Sequence, residues 1–138
     1  MNRRTLFKFA ALFTGSQAMV SLAAPGQSSL PRNPIVLYCD LAVDPAREQE
    51  MLDAFHHHFK PAAEKFDGFI DVKILKLRKV VQGGQPPPSG INFRFQLTYE
   101  SEEKRQLWIH SKVHQTVWPM VESTVTDKGY LTLLTDSR

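Results

Sequence analysis

His110, His114 and Trp118 stand four residues apart from one another, the spacing that puts side chains on one face of a continuous helix. Trp108 lies just upstream, about two residues further round that helix. Tyr99 ends an alternating apolar run, Ile91, Phe93, Phe95, Leu97 and Tyr99, one short turn earlier. A wall of Tyr, Trp and His suits a flat aromatic ligand. The π-faces stack, and an imidazole gives or takes a proton near neutral pH. His114, with Tyr99 beside it, is therefore the expected proton-transfer group. Trp108, His110, Trp118, Phe93 and Phe95 are the expected ligand-binding residues. The plainer alternative is that the aromatics are core residues and the histidines are surface.

Other chemistries have less support. His110 and His114 have the spacing of two imidazoles on one metal, but the motif lacks a third ligand, for which Cys39 and Asp40 are the nearest candidates. Neither a metal nor another cofactor is therefore expected. His56, His57 and His58 are consecutive, so they point in three directions and read as a solvated helix face. The one cysteine, Cys39, has apolar neighbours and reads as a buried strand residue. No GxGxxG, P-loop, GxSxG or HExxH signature occurs. Gly83-Gly84 lies in a Pro-rich loop rather than between a strand and a helix, so it cradles no phosphate.

These residues need elements to hold them. Ile35 to Val43 alternates as a strand. Asp44-Pro45 supplies an N-cap and a first-turn proline for a helix running to about Phe66, which Pro61 should kink or break. Phe69 to Val81 reads as a second strand, with a bulge where its alternation slips near Ile74-Leu75. Residues 82–90, QGGQPPPSG, form a loop, and Ile91 to Glu100 a third strand. Ser101 caps a second helix, expected to reach about Pro119 and continue irregularly to Thr126. Tyr130 to Thr135 is the last strand. The order βαββαβ predicts an α+β, ferredoxin-like fold: a four-stranded antiparallel sheet with two helices on one face. Its other face would lie open, and a homodimer is the natural cover.

The first residues carry a different message. MNRRTLFK holds Arg3, Arg4 and Lys8 and no acid, and a short apolar stretch and the small residues Ser21, Ala23 and Ala24 follow. That is a secretory signal, with cleavage expected after Ala23. Asn2-Arg3-Arg4-Thr5-Leu6-Phe7-Lys8 resembles the twin-arginine pattern S/T-R-R-x-F-L-K. It departs from that pattern at Asn2 and in the order Leu-Phe. The expected organisation is a signal peptide over 1–23, a linker over 24–33 and one domain over 34–138, in a periplasmic or secreted protein. Of the 138 residues, 17 are Lys or Arg and 14 Asp or Glu, a formal charge of +3. Loss of residues 1–23 brings it to zero, which argues against a nucleic-acid or anionic-membrane partner.

Three local patterns resemble the antibiotic-biosynthesis-monooxygenase-like (ABM) domains of the dimeric α+β barrel superfamily. They are Phe66-Asp67-Gly68-Phe69-Ile70-Asp71-Val72, Leu97-Thr98-Tyr99-Glu100-Ser101 and Trp108-Ile109-His110-Ser111-Lys112-Val113-His114. Asp67 stands where the family commonly has Pro. With the element order, the likeness spans about residues 34–135. It implies a dimer with a ligand cavity between sheet and helices in each subunit. In some members that cavity oxygenates aromatic polyketides or quinols without metal or flavin, and in others it degrades haem. The haem branch fits poorly. Tyr99 falls at its Trp position, the first strand has no Asn, and Trp118 stands where the ligand His belongs. Two function classes remain. One is an exported, cofactor-independent monooxygenase acting on a small aromatic or quinone-like compound. The other is a non-catalytic binding or stress-related dimer. An open apolar cavity with His114 or Tyr99 in its wall favours the first; a cavity filled by Phe93, Phe95 and Trp118 favours the second.

Overall fold

The computed structural model describes residues 33–84, 87 and 90–138; the expected signal peptide and all of the linker but Asn33 lie outside them. Asn33–Arg138 forms one compact unit. Strand β1 (Ile35–Leu41) is central, antiparallel to β3 (Phe93–Tyr99) on one side and β4 (Leu131–Asp136) on the other. Strand β2 (Phe69–Lys76) flanks β3, giving the order β2-β3-β1-β4. This is the expected ferredoxin-like sheet. Cys39, Phe95 and Ile74 pair across it and face the helices, while Asp40 and Arg94 face away. The inner residues of β1 and β3 are mostly buried, whereas the edge strand β4 is exposed throughout.

The β2 expectations need two corrections. The extra residue is Ile70, since Phe69 pairs with Tyr99 and Asp71 with Thr98; the slip is not at Ile74-Leu75. The bulge lets Phe69 pack on Tyr99 (ring centroids 6.3 Å apart, edge-on) while Val72 and Ile74 still turn inward. The strand also ends at Lys76, five residues before Val81. Past that end the Leu77 N–H still donates to the Asn92 carbonyl at 2.8 Å, and the Asn92 side chain holds the segment that follows β1. The Val43 N–H donates to Asn92 Oδ1, and Asn92 Nδ2 donates to the Val43 carbonyl, each at 2.8 Å.

The first helical region starts as expected. Asp44 accepts from the Ala46 N–H at 2.9 Å, and a 3-10 turn, Pro45–Arg47, leads into α1 (Glu48–Ala54). Pro61 does not break the helix. A π-turn, Phe55–Phe59, precedes α2 (Lys60–Glu64), and the Lys60 N–H donates to the Phe55 carbonyl five residues back. A proline ring collides with the carbonyl four residues back and offers no N–H; the wider turn relieves the collision.

The second helix is where the structure departs most from the periodicity. It is two helices, α3 (Glu102–Ile109) and α4 (Lys112–Glu122), rather than one. Ser111 makes the break. Its hydroxyl donates to the Trp108 carbonyl at 2.7 Å and accepts from the His114 N–H at 3.1 Å, so one side chain closes α3 and caps α4. Pro119 lies inside α4, which runs on to Glu122. The carbonyl it leaves without a donor is that of Gln115, and both residues are exposed. No helix among the described residues is long and apolar enough to cross a membrane.

Candidate functional site

Aromatic packing between sheet and helices centres on Phe59. Its ring meets Phe95 at 5.1 Å, Trp108 and Trp118 at 5.7 Å and His114 at 6.3 Å between centroids, all steeply inclined. Rings held edge-to-face at these distances are in contact. Beside them lies a cavity of about 170 Å³. The sheet supplies Leu37 and Cys39 from β1, Phe95 and Leu97 from β3, and Thr132 from β4, with Tyr130 just before that strand. The helices supply Arg105, Trp108 and Ile109 from α3, and His114 and Trp118 from α4. An engineered apolar cavity of about 150 Å³ takes up benzene, so this one holds roughly a single ring.

His114 is half-buried in that wall. It stands edge-on to Trp108 (5.2 Å, 80°) and is stacked with Trp118 one turn on (6.3 Å, 14°). Burial holds its pKa below the ordinary histidine value, and the Arg105 charge pushes the same way; the Glu122 carboxylate opposes both. The imidazole is therefore neutral at physiological pH and free to accept a proton. Arg105 binds Glu102 through a fork, Nε to Oε1 at 2.7 Å and Nη2 to Oε2 at 2.9 Å. Tyr130 donates to Glu122 Oε2 at 2.6 Å; burial and then that carboxylate raise its pKa, so it stays a phenol. Burial likewise raises the pKa of the Cys39 thiol, whose sulfur accepts from the Thr132 hydroxyl at 3.7 Å. A thiol so placed is not a nucleophile. Among the described residues, the buried polar side-chain atoms without a hydrogen-bond partner are Tyr99 Oη and Trp108 Nε1.

His114, Trp108, Trp118 and Phe95 thus meet at one cavity, as their types and spacing suggested. His110 does not join them. The break at Ser111 leaves it capping the C-terminus of α3, exposed, with Nδ1 2.8 Å from the Gln106 carbonyl oxygen. The four-residue spacing therefore does not put His110 and His114 on one face. Tyr99 is fully buried against Phe69 and lines no part of the cavity. Burial also raises its pKa, which disfavours the phenolate a base would need. Phe93 is core at the far end of β3, outside the cavity. His56, His57 and His58 are exposed. Among the described residues, no group of three or more His, Cys, Asp or Glu could hold a metal ion.

Sequence reasoning missed Phe59 and Arg105 as site residues. Phe59 had only its place on an apolar helix face to mark it. Arg105 had one signal, its place three and four residues before Trp108 and Ile109 on their helix face, which reads equally well as solvated surface.

No protein-family model and no curated protein matches the chain. Solved structures do share its fold. A protein of Caulobacter crescentus described as a "putative antibiotic biosynthesis monooxygenase" superposes with a TM-score of 0.62 at 11% identity, covering 78% of this chain and 92% of that one. A protein of Bordetella bronchiseptica with the same description gives 0.59 at 11% identity, covering 78% and 97%. A "dimeric ferredoxin-like protein of unknown function" from a Jannaschia species gives 0.58 at 14% identity, covering 78% and 99%.

Proposed function

We propose that this chain is an exported, dimeric, ABM-type monooxygenase-like protein that oxidises a small aromatic or quinone-like compound of a single ring without a cofactor. One observation carries the reading: an uncharged, half-buried imidazole, His114, in the wall of an apolar cavity sized for one ring. The fold shared with proteins described as antibiotic biosynthesis monooxygenases supports it. His114 takes the proton of a phenolic substrate. The resulting anion gives an electron to O₂, and the pair recombines at ring carbon as a peroxide anion, which takes the proton back from His114 and becomes a hydroperoxide. Loss of water leaves the quinone, so phenol and O₂ become quinone and one water. Phe59, Phe95, Trp108 and Trp118 keep bulk water from these intermediates. The dimer reading rests on the uncovered sheet face, and the Jannaschia protein of this fold is described as dimeric. Export rests on Arg3-Arg4 and the short apolar stretch behind them.

The test is oxygen uptake with a panel of single-ring phenols and hydroquinones. His114→Ala should lower turnover about a hundredfold or more, with ligand affinity little changed, as for a lost general base. His110→Ala, whose side chain lies outside the cavity, should match the wild type. Equal uptake by wild type and His114→Ala sinks the base assignment. Binding without uptake for every ring makes the protein a non-catalytic binding dimer.

A further inference from the structure

Arg105 and Trp108 stand three residues apart on α3, so they share a helix face, and both line the cavity. The Arg105 side chain is only 12% exposed. Its Nε and Nη2 donate to Glu102, which leaves Nη1 outside that fork. Trp108 is wholly buried, so its Nε1–H, which has no acceptor, is out of reach of a ligand in the cavity. The other polar groups of the wall are differently placed. Thr132 donates to Cys39, Tyr130 donates to Glu122, and no Asp or Glu lines the cavity. What the wall has to offer an anion is Arg105 Nη1, on a guanidinium that Glu102 holds through its other two donors.

We infer that the cavity selects a single-ring ligand bearing an anionic oxygen, to which Arg105 donates. The inference rests on the reading of this cavity as the ligand site. It adds a charge requirement that ring size and aromatic walls do not impose. A guanidinium shielded from water holds an anion more strongly than one in solvent, and Glu102 is the carboxylate the ligand must compete with.

Calorimetric titration with benzoate, 4-nitrophenol and toluene tests it. The first two supply a carboxylate and a phenolate, which 4-nitrophenol reports by its visible absorbance; toluene is their uncharged counterpart. At least one anion should bind the wild type about tenfold or more tighter than toluene, and which one names the oxygen. Arg105→Gln should cost that anion about tenfold while toluene changes by less than about twofold. Glu102→Gln removes the competing carboxylate and should tighten anion binding severalfold, a gain that misfolding cannot imitate. Equal binding of anions and toluene, no binding of any of the three, or an Arg105→Gln loss shared by toluene overturns the inference. None of these readouts uses oxygen. Anion preference without oxygen uptake would sink the monooxygenase reading alone, and His114-dependent uptake without anion preference would sink this inference alone.

Discussion

In the proposed reaction His114 acts in the neutral form, and its surroundings favour that form. Arg105 of α3 repels a proton there, Glu122 of its own helix attracts one, and the aromatic rings around it exclude water. Because the folded-state pKa is lowered, kcat/KM for a phenol should hold steady as pH falls through the ordinary histidine value of 6.5, and drop only at more acid pH. The same shift acts on stability. Between the lowered folded value and 6.5 the unfolded chain binds more protons, so stability falls with pH across that window and levels off below it. Urea melts at about pH 7.5 and about pH 5.5 should show this loss in the wild type, and a smaller one in His114→Ala. An acid limb centred above the ordinary histidine value would contradict the placement.

Elements meet most tightly at the junction of α2, β2 and α3. Gly68 has φ of +92°, and its carbonyl accepts from the Glu100 N–H at 2.9 Å. A Cβ there would come within 2.6 Å of Lys104 Cβ, on the helix that Ser101 caps. The neighbouring Asp67 pairs with the Lys104 ammonium. The side chain absent at Gly68 therefore lets α3 seat against the start of β2. Gly68→Ala combines left-handed backbone with a clash near a helix backbone, and should cost about 2 kcal/mol or more. For a unit of this size that is a loss of roughly 10 °C in melting temperature. Ordinary melting of Gly68→Ala would show that α3 yields freely. The Ser111 break is the other element-scale feature with a functional consequence, since it separates His110 from His114.

At the scale of the whole molecule, the helices cover one sheet face and leave the other to its own side chains. On the open face Tyr38 pairs with Leu133 and Asp40 with Leu131, and the two leucines are 42% and 53% exposed. Arg94 crosses the same face, bound to Asp40 at 2.6 and 3.0 Å with its guanidinium 5.0 Å from the Tyr38 ring centre. Apolar surface of this kind beside satisfied polar groups suits a self-complementary contact. Sedimentation at micromolar concentration should give a dimer, and Leu133→Lys should shift it toward monomer; a monomeric wild type would remove the case for sheet-face pairing. For export, changing Arg3-Arg4 to Lys-Lys should abolish translocation of the full chain. Normal export of that variant would assign the signal to the general secretory route.

Element order, the sheet's inner face, both helix starts and the aromatic character of the site were legible in the sequence, because each follows from local pattern. Alternation sets strand faces, and Asp44 and Ser101 cap their helices wherever the chain goes. Phe95, Trp108, His114 and Trp118 carried the signal for an aromatic wall, and all four line one cavity. What the tertiary structure decided were the places where one side chain competes with the backbone or with distant neighbours. Ser111 can sit in a helix or cap one, and periodicity does not distinguish these outcomes. Pro61 can end a helix or widen it, and the packing of Phe55 and Phe59 against Phe95 goes with the wider turn. Tyr99 sits on the inner face as its alternation requires, but Phe69, turned inward by the Ile70 bulge, helps seal it from the cavity. Arg105 became a site residue only when α3 was laid against β1 and β3, since a charge near an aromatic in sequence reads equally well as solvated surface.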